Sequence, residues 1–177
     1  MSPALELTSV PHWATTPIEP AADTTGRWWT IIAFGPAGAA VAGRWVDQIG
    51  RPAAIRTHQM AAHDDERARA ALRDALADAR VGWRLMIAGP AEPCLRLRAV
   101  AVQLGVADDE LTVASTDVAD RAVQCVHCRT VTTASVELND VLPCRGCGRN
   151  LLVYYHVSRR QGTHLGYMVD AEEQSAS

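Results

Sequence analysis

The chain has 177 residues, 48% of them apolar and 21% charged, with a formal net charge of −3. That composition excludes a disordered or fibrous chain, and the length suits one or two hydrophobic cores. The opening "MSPALELTSVPHW" has neither a basic start nor a continuous apolar stretch, and the longest weakly polar run, "IIAFGPAGAAVAG", falls short of the roughly 20 residues of a membrane span, so no membrane contact and a cytoplasmic location are expected.

Residues 1–26 mix Pro, Thr, Ser and Asp without steady periodicity and read as an extended lead-in. "RWWTIIAF" (27–34) is an apolar run stopped by "GPAG", as expected of a strand buried on both faces. Ala37 to Ile49 places Val41, Trp45 and Ile49 on one helical stripe, with Gly50 and Pro52 as the stop. The unit then recurs. "AAIRT" (53–57) is a brief strand, and Asp64 to Arg80 is a helix with Ala68, Leu72, Ala75, Leu76 and Ala79 on one side. Its acidic first turn and terminal Arg80 complement the helix dipole. "WRLMIAG" (83–89) is a third strand; Pro93 sits in a first helical turn, Leu97, Val100, Ala101 and Leu104 form the next stripe, and "ELTVA" (110–114) closes the series. Strands and helices alternating at these lengths predict a parallel sheet flanked by helices over residues 27–120.

Two features of this half invite a chemical reading. "FGPAG" (34–38) lies where a strand enters a helix, the place where α/β folds hold phosphates, yet Gly35 and Gly38 fall short of the three-glycine fingerprint, and Thr57 and His58 stand where a ribose-binding acid belongs. The turn reads as plain strand-to-helix geometry. Cys94 lies near a helix amino end, where the dipole lowers a thiol pKa, but a small residue filling a tight turn is the simpler account. Trp28, Trp29, Trp45 and Trp83 fall on core elements and Trp13 stands apart. His12, His58, His63, His156 and His164 are scattered without metal or triad spacing, so no catalytic or cofactor-binding residue is assigned.

The chain changes character near residue 120. Residues 1–120 carry 11 Arg and 15 acidic residues, a net of −4, whereas residues 121–165 carry 6 Arg and 2 acids, a net of +4; three acids and no base follow, closing with an acidic tail at 171–177. All 17 cations are arginine, which reads as coding bias. "RTVTTASVEL", "NLLVYYHVS" and "HLGYMVD" are β-hairpin stretches too small to bury a core unaided, and they surround two Cys-x-x-Cys pairs, Cys125 with Cys128 and Cys144 with Cys147, fifteen residues apart. Two such turns supply the four thiolates of a closed tetrahedral site, and the spacing fits a rubredoxin-like zinc ribbon over residues 121–170. Gly146 and Gly148 ease the second turn. Zinc is the expected metal; iron in a rubredoxin-like electron carrier is chemically allowed, and disulfides would need an oxidising compartment. His127, inside the first turn, reads as a neighbour of the ion. Four protein ligands leave no position for substrate, which points to a structural role.

"MIAGPAEPCLRLRAVAVQLGVADDELTV" resembles the end of the pyridine-nucleotide domain in ferredoxin-reductase-like enzymes, with Gly89 and Pro90 matching and Ala88 replacing a cysteine. Those reductases carry a flavin-binding barrel that 26 residues cannot form. Taken together, "CVHCRTVTTA", "CRGCGRNLLVYYHVSRRQG" and "LGYMVDAEE" resemble the DmmA-like family of dimethylamine monooxygenase small subunits. That resemblance implies a reductase-like nucleotide domain before a zinc ribbon, in a multi-component enzyme that converts dimethylamine to methylamine and formaldehyde with NADPH and oxygen. Haem, FMN, an iron-sulfur centre and NADPH are expected on partner oxygenase and reductase subunits. Arg145, Arg149, Arg159 and Arg160 would give the ribbon a basic edge for an acidic partner face. The rival reading, a nucleic-acid-binding ribbon, is opposed by the net charge and a pI near 6.0.

Overall fold

Strand β1 (Trp28–Phe34) opens the regular structure, and in the computed structural model, which describes residues 5–50 and 54–169, six of its seven residues are buried. Pairing on both edges explains this. After helix α1 (Gly35–Ile49), strand β2 (Ala54–Met60) pairs with β1 in parallel; after helix α2 (Asp65–Ala77), strand β3 (Trp83–Pro90) pairs with its other edge. Helix α3 (Ala91–Gln103) then leads to β4 (Leu111–Asp117), giving a parallel sheet in the order β2-β1-β3-β4. Right-handed crossovers in this order put α1 on one face and α2 and α3 on the other. The two cores confirm it: Val41 and Trp45 lie with Trp29, Ile31 and Met86, while Leu72 and Leu97 lie with Ile32, Leu85 and Ile87.

One helix cannot cover a face that two helices cover on the other side, and the lead-in completes it. Ile18 exchanges backbone hydrogen bonds with Ser115 of β4, at 3.1 and 2.9 Å. The Pro20 carbonyl accepts Trp45 Nε1–H at 2.9 Å, the Asp23 carbonyl accepts Trp29 Nε1–H at 2.7 Å, and the Asp23 carboxylate pairs with Arg84 at 2.9 Å. The segment read as extended is thus a strap, preceded by two one-turn 3-10 helices at Leu5–Leu7 and His12–Ala14.

The elements differ from the reading in detail. Strand β2 continues past Thr57 to Met60, where it still pairs with Phe34. Helix α2 stops at Ala77 because residues 78–82 must turn back into β3, with Trp83 N–H donating to the Arg80 carbonyl at 2.9 Å. Arg80 therefore caps no helix; its guanidinium lies 5.5 Å from the Trp28 ring, and Trp28 is 39% exposed rather than a core residue. Trp13, half-buried, packs against two clusters instead of standing apart. The stop at Pro52, the start of strand two at Ala53 and the acidic tail lie outside the described residues.

The second sheet contains β5 (Asp120–Cys125), β6 (Val131–Ser135), β7 (Val141–Pro143), β8 (Asn150–Ser158) and β9 (Thr163–Met168) in the order β6-β5-β9-β8-β7. Every pairing is antiparallel except β5 with β9. Val123, Leu142, Leu151 and Val153 form its inner face with the cysteines, while Val141, Tyr154 and Tyr167 are exposed. Helix α3 joins the two sheets. Ala91 and Leu95 pack with Val157 of β8 and with Val10 and Ala14, Val157 N–H donates to Ser9 Oγ at 2.9 Å, and Gln103 donates to the Arg160 carbonyl. Contact on two sides buries eight residues of α3, more than a single stripe, yet leaves Leu104, just past its end, 45% exposed.

His164 of β9 is 1% exposed, and neither ring nitrogen has a partner among the described residues. Arg121 of β5, also buried, donates to the Val118 and Val136 carbonyls at 2.8 and 2.7 Å. Burial, and then the Arg121 charge, push the imidazole down to about 4. The unfolded chain takes up a proton near 6.5 and the folded chain does not, so this contribution to stability is complete above pH 6.5 and is lost as pH falls towards 4. The expected loss is on the order of 3 kcal/mol. Thermal melts between pH 7 and 4.5 should therefore show a steeper acid loss for the native chain than for His164→Leu; identical slopes would refute the assignment.

Candidate metal centre

Each Cys-x-x-Cys pair closes a hairpin: residues 125–130 turn β5 into β6, and residues 144–149 turn β7 into β8. The two turns repeat one hydrogen-bond pattern. Cys125 N–H donates to the Thr130 carbonyl at 3.0 Å and Cys144 N–H to the Arg149 carbonyl at 2.8 Å. Arg129 N–H returns to the Cys125 carbonyl and Gly148 N–H to the Cys144 carbonyl, both at 2.9 Å. This closure demands a left-handed residue in the fifth position, and both turns have one: Arg129 at φ 64° and Gly148 at φ 71°. Gly146 serves differently. A Cβ there would run into the Thr130 side chain of the other turn and lie 3.1 Å from Cys128 Sγ, so it lets the turns close on each other.

The closure brings the four Sγ atoms within 4.8 Å of one another, with Cys125 to Cys147 at 3.8 Å and Cys128 to Cys144 at 3.5 Å. A tetrahedral ion with metal–sulfur bonds of about 2.3 Å needs sulfur–sulfur edges of roughly 3.8 Å. The donor set fits, and the four cysteines could hold one metal ion. The environment divides the thiols. Burial pushes Cys125 up to about 11, whereas the Thr130 hydroxyl and then its backbone N–H draw Cys128 down to about 6. Cys147 is lowered by the Arg149 backbone N–H and then its side chain. In each turn the second cysteine thus receives an N–H from two residues on, which stabilises a thiolate facing an ion.

His127 is not part of the sulfur cluster; its ring Nδ1 lies 3.1 Å from Arg149 Nη1, whose Nε also reaches Met168 Sδ at 3.1 Å. Arg149 thereby braces the second turn against the first. The basic edge read from the sequence is divided. Arg145 and Arg149 flank the cysteines, but Arg159 and Arg160 follow the far end of the nine-residue β8. Cys94 is fully buried, and burial drives its thiol pKa up, which removes the activated-thiol reading. In the first sheet Gly38 is a packing residue, since a Cβ would strike the Ala88 carbonyl; Gly89 is likewise pressed against Phe34. The sequence reading holds His164 only as one of the scattered histidines; its burial escapes that reading, because a short strand carries no mark of which polar residue faces inward.

The family description "Dimethylamine monooxygenase subunit DmmA-like, C-terminal domain" matches residues 122–167. The heme-dependent oxidative N-demethylase delta subunit of Ectopseudomonas mendocina (strain ymp) is 38% identical over 102 residues, which span 58% of this chain and 57% of that protein. No solved structure matches the chain.

Two measurements probe the centre. Gly148→Ala should destabilise the chain by roughly 1 kcal/mol because alanine resists the left-handed region, while Arg129→Gly at the equivalent position should be neutral or stabilising; denaturant midpoints compare them. All five tryptophans precede residue 84 and all three tyrosines follow residue 153. Chelation, or Cys144→Ser, should therefore disorder the tyrosine-bearing strands while tryptophan emission stays native. A chain that keeps both halves folded after the metal is stripped would overturn the site.

Proposed function

We propose that this chain, whose residues 122–167 belong to the DmmA-like C-terminal-domain family, is a non-catalytic subunit of a multi-component oxidative N-demethylase. The observation that carries the reading is the sulfur cluster. Four cysteines saturate a tetrahedral ion, so Cys125, Cys128, Cys144 and Cys147 would hold it with no open position for substrate or water. A metal so enclosed supplies folding energy to a small β unit. The named relative, a delta subunit of a heme-dependent oxidative N-demethylase, supports membership of such an assembly.

In this reading zinc is the resident metal, and haem, FMN, an iron-sulfur centre and NADPH act on partner oxygenase and reductase subunits in the cytoplasm. The overall reaction would take dimethylamine, oxygen, NADPH and a proton to methylamine, formaldehyde, water and NADP⁺. The chain's own part is to hold the assembly together or to align electron delivery, with the α/β sheet as a reductase-like nucleotide-domain frame and the cysteine turns as a ribbon. Tyr154 and Tyr167, exposed and 5.4 Å apart on the ribbon's open face, suit a subunit contact, since aromatic side chains dominate interface energetics. An iron-loaded, rubredoxin-like carrier is the alternative for the same ligands.

Co-expression with the other subunits tests the reading. The native chain is expected to co-purify with an oxygenase or reductase subunit, carry one zinc, lack visible absorbance and leave dimethylamine untouched on its own. Red iron-thiolate absorbance would convert the scaffold into an electron carrier, and turnover of amine by the isolated chain, or failure to co-purify, would end the proposal.

A further inference from the structure

Helix α2 places Arg69 and Arg73 one turn apart, a like-charged pair that gains nothing from the helix itself. Folding then brings two more guanidinium groups to them. Arg96 of α3 and Arg160 of the β8–β9 turn line the same groove of about 360 Å³, with Gln103 and Leu104 beside them and no carboxylate among the described lining residues. The four charges are not equally compensated. Arg96 is saturated, bonded to both Asp65 oxygens at 2.8 and 2.9 Å, to Glu92 and to the Ala62 carbonyl. Arg69 has one long contact of 3.7 Å with the exposed Glu66. Arg73 and Arg160 have no ion pair among the described residues.

The turn that carries Arg160 is held in place. Gly162 lies so close to the Leu95 carbonyl and the Arg96 backbone that a Cβ could not fit, and Gln103 donates to the Arg160 carbonyl. Positive charge is thus delivered to one place by a fixed backbone, without the acidic neighbours that compensate Arg96. The groove lies between α2 and α3, away from the carboxyl ends of the strands where parallel α/β sheets ordinarily bind ligands. It is also remote from the cysteines, because nine residues of β8 span roughly 30 Å.

We propose that this groove binds a phosphate-type oxyanion, a phosphoryl or diphosphoryl group, with Arg73 and Arg160 as its direct ligands and Arg69 flanking them. Guanidinium forks donate in pairs to the oxygens of a tetrahedral anion, and two arginines lining one groove without a carboxylate keep their full charge for it. The size suits a small ligand, being near the lower end of the roughly 300 to 1,000 Å³ of small-molecule sites. The exposed Leu104 offers an apolar surface to the body of an organic phosphate.

Calorimetric titration of the full chain with inorganic pyrophosphate at low salt tests this. One site is expected, weakened at least tenfold in Arg73→Ala/Arg160→Ala and unchanged in Arg145→Ala, which removes a charge beside the cysteines instead. Both groove arginines are exposed, so the double variant should fold, with native tryptophan emission as the check. Absence of pyrophosphate binding would overturn the proposal, as would equal weakening by Arg145→Ala, which would mean attraction to overall charge. Tighter binding of a hexaglutamate peptide, abolished by the same double variant, would overturn it in favour of a docking face for an acidic protein segment.

Discussion

Four sulfur atoms within 4.8 Å of one another can be held there only if two hairpin turns close in the same way and face each other, and the second sheet is organised around that requirement. Each turn needs its left-handed residue, each needs a donor two residues after its second cysteine, and their contact needs Gly146 to be bare. The strands follow from the turns. Strand β7 has three residues and could not persist as an independent hairpin arm, but it leads directly into Cys144 and gains its position from the cluster. A core of Val123, Leu142, Leu151 and Val153 beside the cysteines is small for a five-stranded sheet, which is why an ion at that point would do more for stability than any one of these side chains.

The two sheets share helix α3 instead of meeting through a linker. Its one side lies on β3 and β4 through Leu97 and Ala101, and its other receives Val157 and the β8–β9 turn. The lead-in belongs to both units as well: Val10 and Ala14 sit in the junction, and residues 18–23 strap the α1 face of the first sheet. The chain before β1 therefore acts as a structural element that replaces a missing helix on one face and wedges the junction on another. Loss of order in the cysteine turns need not reach the first sheet, because the junction contacts β8 at Val157, at the end of the strand remote from Cys147.

The parallel sheet was legible because periodicity and length carried it: the run at 28–34 had to be buried on both faces, and the stripes of α1 and α2 marked their inner sides. The cysteine turns were legible because their spacing is a chemical requirement. What escaped depends on long-range pairing. Strand β5 joins β9 in parallel across some forty residues, and no local pattern announces which strands become neighbours. The same limit explains the four arginines read as one basic edge. They are close in sequence, but a nine-residue extended strand intervenes, so Arg145 and Arg149 stay with the cysteines while Arg160 reaches a groove it shares with Arg73 of α2, a residue almost ninety positions earlier.

That division changes what the charge can do. Arg149 is engaged with His127, Met168 and Cys147, so its guanidinium is occupied in bracing the turns, and the cysteine end presents less free positive charge than its composition suggests. A closed tetrathiolate site carries net negative charge of its own when the ion is divalent, since four thiolates exceed two positive charges, and the surrounding arginines and backbone N–H groups offset it locally. With an ion in place the thiolates would offset the arginines at the cysteine end, whereas Arg73 and Arg160, at the junction with α2 and α3, line a groove with no carboxylate among its described lining residues. A chain arranged this way would keep an ion held by the four cysteines electrically quiet, and it places Arg73 and Arg160 where elements of both sheets meet.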